Sequence, residues 1–283
     1  MEQRNIIQEI SFQIKQGKMT VRLILINVFV FLLINLLIFI GSFFGGNDFI
    51  LRWVTMPTEI SMFLFKPWTL FTSIISHYSL SHLFFNLLFL FFAGSMFEQL
   101  FGAKKLLITY ILAGIFGGVF EILATFIAPD FSPSHAVIGA SGAIMGIFAA
   151  VAFYRPQTPV YLFGIVAIPI YVLAIFFFAK DLIGIGEKDQ IAHFAHLGGA
   201  FLGYLAVQKV NSPSNIINRV SALFERKNEA PKTNTRYKTD EVFNAEKRSQ
   251  QERIDNILDK IAKSGYDSLT REEKDFLFKQ GQK

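Results

Sequence analysis

The run VRLILINVFVFLLINLLIFIGSFF at residues 21–44 constrains the fold more than any other feature, because Arg22 is its only charged residue. A helix needs about 20 apolar residues to cross the hydrocarbon core of a bilayer. A cleaved signal peptide has a shorter apolar core that ends in a small-residue cleavage site. We therefore interpret this run as an uncleaved first membrane span.

Five more apolar segments follow, and we expect each of them to cross the membrane. They cover approximately residues 70–97, 106–128, 138–154, 160–179 and 191–208. Charged residues make up 17% of the 283 residues, whereas a soluble domain is about a quarter charged. The predicted fold class is an all-α polytopic membrane protein, a six-transmembrane-helix bundle with a small helical cytoplasmic tail.

The uneven distribution of charge divides the chain into four expected parts. Residues 1–20 form a cytoplasmic N-terminal segment, and residues 21–208 form the six-span membrane domain. Residues 209–250 are polar and charge-rich, so we expect a flexible linker there. Residues 251–283 are expected to form a helical-hairpin tail, whose binding partner the sequence does not identify.

The hairpin is predicted from apolar spacing and from helix-end signals. Apolar residues recur at helical spacing at Ile254, Ile257, Leu258 and Ile261. Gly265 can end that first helix. Thr270 and Glu273 have the spacing of a capping box at the start of a second helix.

Basic residues indicate the orientation of the spans in the membrane. The termini and the even-numbered loops carry Lys15, Lys18, Arg22, Lys104, Lys105, Arg155 and Lys209. Loops rich in Lys and Arg stay cytoplasmic, so we expect both termini in the cytoplasm and the protein in the inner (plasma) membrane. The loops at 45–67, 129–137 and 180–190 then face outward. We attribute the net charge of +5 to this topology and expect no nucleic-acid partner.

Polar residues collect near the outward ends of the predicted spans. They are the five histidines and one serine: His77, His82, His135, His193, His196 and Ser141. Because polar groups inside a membrane are costly and usually mark function, a shared depth indicates a site. The absence of cysteine excludes disulfides, thiolate metal ligands and a cysteine nucleophile.

Glycine spacing suggests how two of these groups could meet. His196, Gly199 and Gly203 share one face of the sixth span, while Gly142 and Gly146 share one face of the fourth. Small residues spaced by four allow close helix contact. Such a contact could bring Ser141 and His196 within hydrogen-bond reach, the geometry of a serine activated by a general base.

Donors for an oxyanion would come from the second span. His82 and Asn86 lie at i and i+4, and the backbone N–H of Ser141 lies at a helix N-terminus. No acid is near enough in the sequence pattern to complete a triad; Glu98, Glu121 and Asp181 are possible but poorly placed. We therefore expect a serine–histidine dyad.

Three motifs resemble the rhomboid family of intramembrane serine proteases, in its bacterial type with a C-terminal soluble tail. GASG at 139–142 is similar to the nucleophile motif of the family. HYSLSHLFFN at 77–86 is similar to its second-span motif, and AHLGGAFLG at 195–203 to its motif on the last core span. The resemblance covers approximately residues 20–208.

The resemblance implies a role for each matching residue. Ser141 would be the nucleophile and His196 the general base that cleave transmembrane-segment proteins near the outer membrane face. His82 and Asn86 would hold the oxyanion, together with the backbone N–H groups of Ser141 and Ala140. The supporting residues would be Gly139, Gly142, His77, Gly199 and Gly203. Neither a cofactor nor a metal is expected.

The chain departs from the family pattern at a few positions. Met145 stands where an aromatic residue commonly stacks on the catalytic histidine, and Thr69 follows Trp68 where the family often has arginine. His193 could compete with His196 as the base. Two alternatives stay open: a rhomboid-like protein that binds membrane proteins without cutting them, and a membrane protein that holds a metal or haem on its histidines.

Overall fold

The computed structural model describes residues 18–44, 49–132, 136–162, 166–187, 189, 191–224 and 240–280. His135, one of the predicted site histidines, lies outside these residues. The chain forms two compact units, residues 1–226 and 227–283.

The first unit is built mainly from helices. In chain order its elements are α1 (Met19–Ser42), α2 (Phe49–Val54), β1 (Met56–Pro57), α3 (Ile60–Phe65), α4 (Thr69–Thr72), α5 (Leu80–Phe101), α6 (Ala103–Ile127), β2 (Ala136–Val137), α7 (Ser141–Tyr154), β3 (Pro159–Leu162), β4 (Val166–Pro169), α8 (Ile170–Gly184), α9 (His193–Val207) and α10 (Ile216–Leu223). Single 3₁₀ turns occur at Ser73–Ile75 and Pro129–Phe131.

The predicted class, a mostly helical polytopic membrane protein, is confirmed. Among the described residues, α1, α5 and α6 are long and apolar enough to cross a membrane, with 24, 22 and 25 residues. The helices α7, α8 and α9 are shorter, with 14, 15 and 15 residues. The count of six spans therefore stays a prediction.

Two of the expected span boundaries were wrong. The second span helix begins at Leu80 and not near residue 70, because Ser79 caps it by accepting a hydrogen bond from His82 N (3.2 Å). Residues 159–162 and 166–169 are not helical either. There β3 and β4 pair antiparallel, with Pro159 opposite Pro169. Proline lacks the N–H that a helix interior needs, so α8 begins only at Ile170.

The centre of the first unit is α7, which buries ten of its 14 residues. The predicted contact between glycine faces is present here. A Cβ at Gly199 would collide with the Gly142 carbonyl oxygen, and one at Gly203 would collide with the Gly146 carbonyl oxygen. The helices α7 and α9 thus touch backbone to backbone, and this contact places their N-termini side by side.

The segment before α7 is held by the first loop. The strand β1 pairs antiparallel with β2, with Met56 opposite Val137 and Pro57 opposite Ala136. Met56 is fully buried. This pairing fixes the chain that leads into Ser141.

Part of the flexible linker expected at residues 209–250 is helical, since residues 216–223 form α10; residues 225–239 lie outside the described residues. Asn215 caps α10 by accepting hydrogen bonds from Ile217 N and Asn218 N, and its side chain donates to Ala206 O at 2.9 Å. Ile217 is buried. These bonds tie α10 to the end of α9, so the first unit extends beyond residue 208.

The second unit contains α11 (Asp240–Ser264) and α12 (Arg271–Gln280), joined through a turn at Tyr266–Ser268. Gly265 follows α11 with a φ of 77°, which glycine adopts without strain. The capping box forms: Thr270 N donates to Glu273 Oε2 at 2.7 Å, and Glu273 N donates to Thr270 Oγ1 at 3.3 Å. Lys260 of α11 forms an ion pair with Glu273 at 3.0 Å.

Replacing Gly203 by alanine tests the contact between α7 and α9. The new methyl group would collide with the Gly146 carbonyl, so we expect Gly203→Ala to lower the free energy of unfolding by about 1–3 kcal/mol. The thermal midpoint of the detergent-solubilised protein measures this. Phe201→Leu on the same helix is the control, because Phe201 is 50% exposed and should tolerate the change. Equal midpoints for both variants would contradict the proposed contact.

The capping box makes the tail sensitive to acid. The N–H of Thr270 and the Lys260 ammonium hold the pKa of the Glu273 carboxyl below its usual value. A lowered folded-state pKa stabilises the hairpin above the unfolded pKa of about 4.3, and that stabilisation is lost as the pH falls through the folded pKa. In the full chain, we expect the NMR shift of the Thr270 amide to titrate with a midpoint below that value. Lys260→Gln should raise the midpoint; an unchanged midpoint would contradict the role of the ion pair.

Candidate active site

Ser141 and His196 lie together at the N-terminal ends of two packed helices. Ser141 is the first residue of α7, and His196 lies in the first turn of α9. Ser141 Oγ is 2.8 Å from His196 Nε2. This distance lets the hydroxyl donate to an unprotonated Nε2, provided that the proton of the imidazole is on Nδ1.

The expectation that no acid lies near this pair was wrong. Asp181 of α8 has its Oδ1 2.9 Å from His196 Nδ1, and its side chain is only 4% exposed. Sequence spacing did not reveal this contact, because the turn between α8 and α9 decides which residues face each other. Of the three acids Glu98, Glu121 and Asp181, it is Asp181 that hydrogen-bonds to His196.

His193 contacts the same carboxylate. Its Nδ1 is 2.9 Å from Asp181 Oδ1, and its Nε2 is 3.3 Å from Asp189 Oδ2. Among the described residues, His196 is the histidine that hydrogen-bonds to Ser141. His193 therefore lies behind Asp181 and does not occupy the position of the base.

His82 and Asn86 line the other side of the site. Asn86 Nδ2 donates to His82 O at 2.8 Å, which fixes the amide on α5. Gly139 passes directly against the His82 ring with a φ of 127°, and a Cβ there would lie 2.6 Å from His82 Cε1. The loop can approach this imidazole only because residue 139 has no side chain.

His77 and Ala140 complete the set of predicted residues. The His77 ring is buried and lies edge-on to the His82 ring, with 5.2 Å between centroids. Ala140 is fully buried and immediately precedes α7. The first N–H groups of any helix lack partners within that helix, so the backbone of Ser141 can donate toward the site.

A cavity of about 860 Å³ opens at these residues. Its polar lining includes Ser141, His196, His82, Asn86 and Asp181. Most of the remaining wall is apolar and includes Met145, Tyr78, Phe85, Phe89, Phe148 and Phe177. An apolar cavity with a few convergent polar groups is the usual form of a binding site, and this one can receive an apolar chain.

Glu121 has a role that sequence reasoning missed. It is buried on α6, where its Oε2 accepts from Ala195 N at 2.9 Å and its Oε1 accepts from Ser132 Oγ at 2.6 Å. It therefore caps the N-terminus of α9 one residue before His196. One sequence signal could have found this role: Glu121 lies inside a predicted membrane span, where burying an acid costs free energy and usually marks a functional residue.

Three residues of the site could also hold a metal ion. The ligand atoms of Asp181, His193 and His196 lie within 4.8 Å of one another, and imidazole with carboxylate suits several divalent cations. Both Nδ1 atoms, however, lie at hydrogen-bond distance from one carboxylate oxygen. A proton on each Nδ1 can form a hydrogen bond to this oxygen, so the three side chains can pair without a metal ion.

In comparison with known protein families, residues 64–211, just over half of the chain, match the family model described as a rhomboid domain. Residues 237–280 match a family of unknown function (DUF6576). The chain is 31% identical over 157 residues to RHOMBOID-like protein 12, mitochondrial, of Arabidopsis thaliana, covering 50% of this chain and 46% of that protein.

Two bacterial relatives are also similar. Rhomboid protease GluP of Bacillus subtilis (strain 168) is 31% identical over 147 residues, covering 52% of this chain and 26% of that protein. Rhomboid protease GlpG of Photorhabdus laumondii is 26% identical over 178 residues, covering 62% and 57%. The chain thus matches between a quarter and about three-fifths of the length of these relatives.

Glu121 variants test the cap on α9. Glu121→Ala leaves the buried Ala195 N–H without its acceptor, which costs about 1–3 kcal/mol, so the thermal midpoint should fall. Glu121→Gln keeps a side-chain oxygen at that position, and we expect a clearly smaller loss. A fall of equal size in both variants would show that the charge of Glu121 matters and not its hydrogen bond.

Proposed function

This chain belongs to the rhomboid family, and on that premise we propose that it is a serine endopeptidase that cleaves transmembrane-segment proteins within the membrane. The observation that carries the proposal is the 2.8 Å contact between Ser141 Oγ and His196 Nε2 at the wall of the cavity. Serine and imidazole at this distance form an activated nucleophile when a substrate carbonyl is within reach.

The reaction would proceed by acyl transfer. Ser141 Oγ attacks the peptide carbonyl carbon while His196 Nε2 accepts the hydroxyl proton. The tetrahedral intermediate then collapses, its C–N bond breaks, and His196 gives the proton to the leaving amine. Water attacks the acyl-enzyme with His196 again as base, which releases the carboxylate product and restores the Ser141 hydroxyl.

The oxyanion would be held by groups at the start of α7 and on α5. The backbone N–H of Ser141 points along the N-terminal end of α7, where the helix dipole favours negative charge. His82 and Asn86 line the same cavity and carry N–H donors. Donors fixed before the reaction are most effective in an apolar cavity, because no water has to reorganise.

The location of the basic residues supports cleavage near the outer membrane face. Ser141 begins α7 and His196 lies in the first turn of α9, whereas Arg155 and Lys209 follow the opposite ends of these helices. Since the basic ends of membrane helices stay cytoplasmic, the site would lie toward the outside. Both termini would then be cytoplasmic, in the plasma membrane.

A second candidate function is metal binding at Asp181, His193 and His196, favoured by their convergent ligand atoms. A third is a rhomboid-like protein that binds membrane proteins without cutting them. Neither alternative requires a hydroxyl at residue 141 to be reactive. Reactivity of Ser141 therefore separates them from a protease.

Labelling with a fluorophosphonate probe tests the proposed function. The wild-type protein in detergent should become labelled, and Ser141→Ala should not, because the nucleophilic oxygen is lost. His196→Ala should reduce the labelling rate by at least about 100-fold, because the base is lost. The thermal midpoint of each variant shows whether it is folded.

His193→Ala is the matched control for the choice of base, since His193 contacts Asp181 but not Ser141. It should label far faster than His196→Ala. A folded wild-type protein that does not label would overturn the protease proposal. Metal analysis of that protein would then distinguish the metal site from the non-cutting binder.

A further inference from the structure

We propose that Asp181 is a positioning residue for His196 and makes the site a triad built from three helices, with Ser141 on α7, His196 on α9 and Asp181 on α8. The inference rests on the proposed function, because it assigns a role toward the general base of that reaction. It replaces the dyad that the sequence pattern predicts.

The hydrogen bonds of His196 define what Asp181 does. A base that takes the proton of Ser141 at Nε2 must carry its own proton at Nδ1. Asp181 Oδ1 lies 2.9 Å from that Nδ1. An ionised carboxylate has no proton to donate, so here Asp181 acts only as an acceptor. The carboxylate therefore selects the tautomer that leaves Nε2 free for Ser141, and it holds the plane of the ring.

The same carboxylate stabilises the state that forms during the reaction. When His196 accepts the Ser141 proton, its ring becomes positively charged beside a side chain that is 4% exposed. A carboxylate next to a histidine in this geometry stabilises the imidazolium without itself becoming protonated. The second buried acid nearby, Glu121, is bonded elsewhere, with its two oxygens accepting from Ala195 N and Ser132 Oγ.

His193 and Gly184 keep Asp181 in place. His193 Nδ1 donates to the same Oδ1 from the other side, at 2.9 Å. The His193 ring fits there because residue 184 is glycine, where a Cβ would collide with the ring. Asp181 is thus fixed by two imidazoles, and its orientation does not depend on the exposed side chains of α8.

The burial of α8 supports a specific role for this acid. The helix buries only three of its 15 residues, namely Ile170, Asp181 and Gly184. A charged side chain is expensive to bury in a membrane, and a position on the largely exposed α8 would not require one for packing. Its two hydrogen bonds to histidines of α9 satisfy the buried carboxylate, and one of them orients His196.

The test compares Asp181→Asn with Asp189→Asn by fluorophosphonate labelling at several probe concentrations. This separates the maximal labelling rate from the half-saturating probe concentration. We expect Asp181→Asn to lower the maximal rate by at least about 100-fold, with the half-saturating concentration and the thermal midpoint nearly unchanged. Asp189 bonds to the far nitrogen of His193 and accepts from Ile191 N, and neither contact reaches Ser141 or His196, so Asp189→Asn should stay within about twofold of wild type.

The labelling results distinguish failure of the Asp181 role from failure of the protease function. If wild type labels and Asp181→Asn labels equally fast, the triad is overturned and the protease proposal stands. If wild type does not label, the proposed function fails, and the role of Asp181 fails with it. A change in the half-saturating concentration alone would also overturn the positioning role, because it would indicate an effect on probe binding.

A measurement on the wild-type protein covers the case in which Asp181→Asn does not fold. Solid-state NMR of ¹⁵N-labelled histidine rings in lipid vesicles reports which ring nitrogen carries the proton. The His196 signal is identified by its loss in His196→Gln. We expect the proton on Nδ1; a proton on Nε2 alone would overturn the proposal.

Discussion

The backbone contact between α7 and α9 is the constraint on which the rest of the site depends. Glycines 142, 146, 199 and 203 remove the side chains that would otherwise separate these helices. In lipid, helix association relies on close packing and interhelical hydrogen bonds, so this contact supports both stability and geometry. Ser141 and His196 lie at the N-terminal ends of the two glycine faces. The distance between their side chains therefore depends on how closely α7 and α9 pack.

Acids inside the first unit then secure the ends of the helices. Glu98 accepts hydrogen bonds from Met19 N and Thr20 N at the start of α1, at 2.6 and 2.9 Å. Glu121 does the same for Ala195 N on α9, and Asp181 accepts from two imidazoles. Each carboxylate satisfies donors that would be costly to leave unpaired away from water. Glu121 and Asp181, two acids that look misplaced in an apolar sequence, are therefore part of what orders the site.

Much of the fold could be predicted, because hydropathy and small-residue spacing are local signals. The apolar runs indicated the helices α1 and α6 within a few residues and α5 with a start about ten residues too early, and the glycine spacing indicated the α7–α9 contact. The errors occurred where prolines or hydrogen bonds override hydropathy. Pro159 and Pro169 bracket a pair of strands, Ser79 delays the start of α5, and Asn215 orders a segment that composition alone assigns to a linker.

By itself the sequence determined a polytopic helical protein with a serine and a histidine at the ends of two glycine-faced helices, because periodicity and hydropathy depend on neighbours along the chain. Only the tertiary structure decided that Asp181 faces His196, that His193 lies behind it, and that Glu121 caps α9. These contacts join different helices, and the turns between helices set them. No spacing within a single helix encodes which residue of α8 meets which residue of α9.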